Sequence, residues 1–161
     1  MVLLARAVVS GVCILLATSA ALASSLSPGD IGDTFCAARV SGDMSKVEPL
    51  LSPDLAAAIS DAEAKNDAIQ KQHPDEKPPL GDGIPWQSFP DHAPQCMVVG
   101  SRGTLENPEA VLFYQIPGPG GTSWSDRLVL TFVDGELRLG DIVFADGSRL
   151  TEILAGKSPA P

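Results

Sequence analysis

SWSDRLVLTFVDGELRLGDIVFA, residues 123–145, decides the fold. Trp124, Asp126, Leu128, Leu130 and Phe132 alternate onto one side of an extended chain. Arg127, Val129, Thr131 and Val133 alternate onto the other. Asp134-Gly135 is a two-residue hairpin signal. Glu136–Ala145 then reads as the returning strand, but its apolar phase slips. Leu137 and Leu139 are odd, whereas Ile142 and Phe144 are even. A bulge at Gly140-Asp141 absorbs the slip and bends the strand.

Two further strands precede this hairpin, Gln95–Arg102 and Glu109–Ile116, with Glu106-Asn107-Pro108 as their turn. Pro117–Gly121 breaks the chain before the third strand. Upstream, residues 74–94 carry Pro74, Pro78, Pro79, Pro85, Pro90 and Pro94, which exclude a regular helix or a central strand. Loops this long are commonly functional or disordered. The start of the chain is helical. Ser27-Pro28-Gly29-Asp30 offers an N-cap, a proline at N1 and an acid at N3, and Gly42 is the stop. A short helical turn over Ser45–Leu51 follows. Ser52-Pro53-Asp54 repeats the start signal for a helix through about Gln72, with Leu55, Ile59, Ala62 and Ile69 on one face. Arg149–Leu154 is a last short helix. Helices followed by an antiparallel meander define an α+β domain, with amino-terminal helices packed on a curved, cone-like sheet. The open end of such a cone is a natural pocket.

Residues 1–23 read as a segment outside this domain. Arg6 is their one charge, an apolar run follows, and Ala21-Leu22-Ala23 has the small residues of a signal-peptidase site. The rivals are a membrane anchor and a lipoprotein at Cys13. The apolar stretch is shorter than the roughly 20 residues that cross a bilayer, and Cys13 lacks the small residue expected before it. The expected organisation is therefore a signal peptide over 1–23, one domain over 24–156 and a frayed tail over 157–161. Without Arg6, ten basic residues face twenty acidic ones, a net charge near −10. Such a chain suits neither nucleic acid nor an anionic membrane surface. It would suit a basic partner, or simply stay soluble. Cys36 and Cys96 remain after cleavage, and two cysteines in an exported protein most often pair. Free thiols and a redox pair are the alternatives, though no C-x-x-C motif is present.

Three stretches carry a likeness. Leu50-Leu51-Ser52-Pro53-Asp54-Leu55 opens the second helix. Asp82-Gly83-Ile84-Pro85-Trp86 runs through to Asp91 in the connector. Trp124–Leu128 with Gly135–Ile142 forms the closing hairpin. Together they resemble the nuclear transport factor 2-like superfamily, of cystatin-like cone fold, and within it a group of exported bacterial proteins. Ile84 stands where that group tends to carry an acid, so a metal or acid–base role for the connector is not implied. The resemblance implies export to the periplasm. It also implies a pocket in which related enzymes place an acid or a tyrosine, here Asp126, Asp141 and Tyr114.

No nucleophile motif ties His73 or His92 to a serine. Asp91 and His92, being neighbours, would point apart on extended chain. The spacing of His, Cys and acids fits no zinc or calcium site, and no cofactor motif is present. Asp126 shares the inward alternation of its strand, so it is either a buried base or an ion-pair partner of a neighbouring-strand arginine such as Arg138. Trp86, Phe89 and Trp124 are the apolar candidates for ligand contact, with Tyr114 and Asp126 as polar ones; their alternative is packing of the loop. The expected function is an exported, non-catalytic binding domain for a small molecule. Its rivals are an acid–base isomerase or hydrolase and an inhibitor-type partner of a basic periplasmic protein. The oligomeric state stays open, a dimer among the options.

Overall fold

The computed structural model describes residues 25–81 and 83–157. The expected signal segment with its cleavage point, Asp82 and the tail from 158 onward lie outside the described residues. Helix α1, Pro28–Ser41, begins as its cap predicts. Ser27 Oγ accepts from the Asp30 N–H and the Asp30 carboxylate accepts from the Ser27 N–H, a reciprocal capping box. Gly42 ends the helix in the left-handed region at φ 76°. The expected short turn resolves into two single turns of 3-10 helix, Met44–Lys46 and Glu48–Leu50. Helix α2, Pro53–Gln72, is capped by Ser52, whose side chain accepts from the Leu55 N–H. Strands β1 (Gln95–Gly103), β2 (Pro108–Ile116), β3 (Thr122–Val133) and β4 (Glu136–Val143) form one antiparallel meander in the order β1-β2-β3-β4. The short helix α3, Leu150–Leu154, closes the described chain.

The hairpin between β3 and β4 turns through Asp134 and Gly135 at φ 52° and 83°, the left-handed pair that a two-residue turn requires. The predicted bulge is present. Val129 pairs with Asp141 and Leu130 with Leu139, so Gly140 has no partner of its own. This slip keeps Leu137, Leu139, Ile142 and Phe144 all buried despite their mixed parity. A second irregularity lies in β1 between Val98 and Gly100.

The inner face of the sheet presents Leu112, Tyr114, Leu128 and Leu130, all fully buried, against Ile31 and Phe35 of α1 and Leu55 and Ile59 of α2. Burial of each such side chain stabilises by roughly 1.5–3 kcal/mol. Two expected members of the core fall outside it. Ile69 is exposed, because the α2 face stays covered only from Leu55 to Ala62. Phe132 sits beside the hairpin turn and is 50% exposed.

Helix α1 approaches the sheet closely at Gly32. A Cβ there would stand 2.6 Å from Val98 Cγ2 and 3.4 Å from Ala110 Cβ. Gly32→Ala should therefore lower stability by about 1–3 kcal/mol through overpacking, although alanine is the better helix former. Urea unfolding checks this. A variant as stable as wild type would mean that α1 rides farther from β1.

Cys36 of α1 and Cys96 of β1 are joined in a disulfide, with Cα atoms 5.1 Å apart. Among the described residues no helix is long and apolar enough to cross a membrane.

Candidate functional site

Cross-strand register brings the sequence-predicted aromatics together. Tyr114 of β2 lies opposite Trp124 of β3, and their rings stack with centroids 5.1 Å apart and planes 12° from parallel. Phe89, from the proline-rich loop, also meets Trp124, with ring centroids 5.3 Å apart and planes tilted by 37°. Trp86 meets Phe35 of α1 edge-on at 6.3 Å. The loop is therefore folded against β3 and α1. It is neither helix nor strand, as its prolines require.

Polar bonds hold the loop there. Ser88 donates its N–H to Asp126 Oδ2 at 2.9 Å and its hydroxyl to Asp126 Oδ1. The same hydroxyl accepts from the Ala145 N–H at 2.8 Å. Gln87 donates to the carbonyls of Phe89 and Asp91 at 2.7 and 2.6 Å, which closes the loop on itself. Its own Oε1 accepts from Nε of Arg39, in the last turn of α1, at 3.2 Å. Farther upstream the Leu80 N–H donates to Asn66 of α2 at 2.9 Å.

Asp126 is fully buried. Desolvation raises its pKa above the ordinary 3.8. The bonds from Ser88 oppose the rise, and the N–H dipole of the nearby Trp124 indole acts in the same direction. Burial also pushes the Tyr114 phenol far above its usual range. The Asp126 charge adds to that rise and the Arg39 charge partly offsets it. Desolvation lowers the Arg39 pKa, while Tyr114 and Asp126 act the other way. These three groups thus lie within electrostatic reach of one another.

A pH dependence follows. The folded protein holds the Asp126 proton more tightly than the unfolded chain does. The Asp126 contribution to stability is therefore most favourable in acid, falls as pH rises from 3.8 through the raised value, and is flat above it. Asp126→Asn removes that fall. The stability of wild type minus that of the variant, from urea unfolding between about pH 3 and pH 8, should decrease with rising pH. A difference that is constant or grows with pH would overturn the assignment.

Other expectations are corrected. Arg138 does not pair with Asp126; it pairs with Glu136 and donates to the Pro49 carbonyl at 2.8 Å. Its register partner is Thr131, five residues along β3 from Asp126. Asp141 is also separate from this cluster. Its register partner is Val129, out of phase with the Asp126–Leu128–Leu130 series. Its carboxylate accepts from the N–H groups of Ile142 and Thr151, from the Thr151 hydroxyl and from Arg149 Nε. It anchors α3 to β4. His92 is exposed in the loop, and His73 ends α2 with its N–H on the Ile69 carbonyl. Among the described residues no group of three His, Cys, Asp or Glu is placed to hold a metal ion.

Between the folded loop and α1 lies a cleft of about 440 Å³, within the size range of small-molecule sites. Arg39 and Lys77 line it, with Leu80, Ile84, Trp86 and Phe89 as apolar wall. Sequence reasoning missed Arg39, Gln87 and Ser88. Arg39 had one readable signal, its position four residues after Phe35 on the inward stripe of α1. The chain matches no family model, no curated protein and no solved structure.

Proposed function

We propose that this protein is a small exported binding domain, non-catalytic, whose ligand enters the cleft between the loop and α1. The cleft itself carries the reading: it is concave, has an aromatic and aliphatic wall, and is lined by Arg39, whose Nε is held by Gln87. The likeness to the nuclear transport factor 2-like superfamily agrees with a pocket at this end of the sheet. Export agrees with the disulfide, which persists in oxidising compartments. A binding role is favoured over acid–base catalysis because both oxygens of Asp126 are engaged by Ser88 beneath the loop.

Trp86 separates binding from packing. A library of small organic compounds screened by thermal shift should contain members that raise the Tm of wild type. Trp86→Ala should lose those shifts while its own stability falls by only about 1–2 kcal/mol, since Trp86 is half-buried and its described ring contact is a single edge-on one. A library that shifts neither protein would sink the proposal. A variant that keeps the shifts would move the ligand elsewhere.

A further inference from the structure

We infer that a second groove, on the α2 side of the loop, binds a small organic cation: a protonated amine carried on an aromatic or branched apolar body. The groove is separate from the cleft beside α1 and shares with it only Ile84 and Trp86 among the described residues. Shape, charge and the balance between them carry the inference.

Three segments build the groove. In α2, Ala56, Ile59, Ser60 and Glu63 recur at helical spacing and so share one stripe. Glu48 and Leu51 stand three residues apart across the second 3-10 turn, which sets one above the other. Ile84 and Trp86 of the loop complete the lining with Met44. Ile59 is buried, and Met44, Leu51, Ile84 and Trp86 are half-buried, so the wall is apolar. The groove measures about 440 Å³, within the size range of small-molecule sites.

Its charge has one sign. Glu48 and Glu63 are the charged side chains among the described residues that line it. Both are exposed, and neither carboxylate has an ion-pair or hydrogen-bond partner among the described residues. The cations that come near are engaged or turned away. Lys46 pairs with Asp43. Arg138, which reaches the Pro49 carbonyl, pairs with Glu136. Lys65 lies on another side of α2, where it lines a different hollow. The chain as a whole carries −9, so the surrounding field also draws cations and repels anions.

Exposed carboxylates hold a cation only weakly. The apolar wall therefore supplies most of the affinity, and Glu48 and Glu63 select the sign of the ligand. Trp86 serves both ends, because an indole covers an apolar body and is the best aromatic partner for a cation. A bare metal ion would leave the wall unused. A neutral apolar compound would leave the carboxylates unused. A protonated amine on an apolar body uses both.

The test is a nitrogen-15 NMR titration of the purified protein with phenethylamine, tryptamine and isopentylamine, each compared with the alcohol of the same shape. At least one amine should bind and move the amides of Ala56, Ser60 and Glu63 together with the Trp86 indole. Its alcohol should bind at least about threefold more weakly. Added salt should weaken the amine only. Glu48→Gln combined with Glu63→Gln should bring the amine down to the affinity of its alcohol. Ser60→Arg puts a cation into the groove and should abolish amine binding. Ala57→Arg adds the same charge to the same helix outside the described lining and should leave binding unchanged. All four replaced side chains are exposed, so Tm should stay near that of wild type in every variant. An amine and an alcohol of equal affinity would overturn the cation assignment. Amine binding that survives Ser60→Arg would overturn the location, as would shifts centred on Ser88 and Phe89, which belong to the α1 cleft. Binding by no amine would overturn the groove and leave the reading of the α1 cleft standing.

Discussion

Cys36→Ser combined with Cys96→Ser should lower the unfolding free energy by about 4 kcal/mol. The bridge closes a span of 60 residues that contains the α2 helix and the whole proline-rich loop. In the chain-entropy description a loop of that size restricts the unfolded state by about this amount. Domains of this size are stable by only about 5–15 kcal/mol, so the change would be a large fraction of the total. The loss should also be local. Cys36 sits one helical turn before Arg39, and Cys96 follows the loop by two residues. Without the bridge the described bonds that hold the loop to the body include Gln87–Arg39, Ser88–Asp126, Ala145–Ser88 and Leu80–Asn66, together with the ring contacts. Urea unfolding of wild type, of the double variant and of wild type under reductant checks this. Reduced wild type should match the variant. A variant within about 1 kcal/mol of oxidised wild type would show that the bridge adds little to stability.

Trp124→Ala should cost about 3 kcal/mol, the low end for a tryptophan truncated in a core, because the ring is half-buried. Its indole contacts both the Tyr114 ring, which it stacks on, and the tilted Phe89 ring of the loop. Stacked pairs of this kind add to stability beyond the area they bury. Removing the ring leaves Phe89 without its aromatic partner, so the loop should loosen together with the core. Amide hydrogen exchange reads that directly: the Ser88 N–H, bonded to Asp126, should lose protection in the variant far more than the β4 amides. Equal loss in both would mean simple global destabilisation. No loss at Ser88 would mean that the latch holds the loop without the aromatic stack.

The fold was legible because its signals are local. Ser27 and Ser52 cap, Pro28 and Pro53 open the helices, Gly42 stops one, and Asp134-Gly135 turns the hairpin, each through its own backbone chemistry. The alternation of β3 placed Trp124 and Asp126 on the core side. Tyr114 joined them because the meander register sets it opposite Trp124. The Asp141 assignment failed on a consequence of the very bulge the parity slip revealed. Once Gly140 is extruded, Asp141 falls into register with Val129, and its carboxylate turns to Arg149 and Thr151. The loop's irregular backbone was legible in its prolines, but its anchoring was not. Nothing local says that Ser88 will latch a strand residue 38 positions away, or that Gln87 will hold Arg39. Such bonds depend on where the sheet end and the α1 end meet. Arg138 was the obvious partner for Asp126 by charge, but β4 register sets it beside Thr131 and Glu136.

Nitrogen-15 NMR of the labelled protein, titrated with the library compound that raises its Tm most, tests the cleft most directly. The chain has two tryptophans, so two indole N–H signals report on Trp86 and Trp124, and the Arg39 Nε–H reports on the guanidinium. The Trp86 indole and the Arg39 Nε–H line the cleft and should shift and saturate with one Kd, while the amides of Val111 and Arg127 on the outer side of the sheet stay in place. Shifts centred on Val111 and Arg127, or a Trp86 indole signal that does not move at saturation, would contradict the cleft as the binding site.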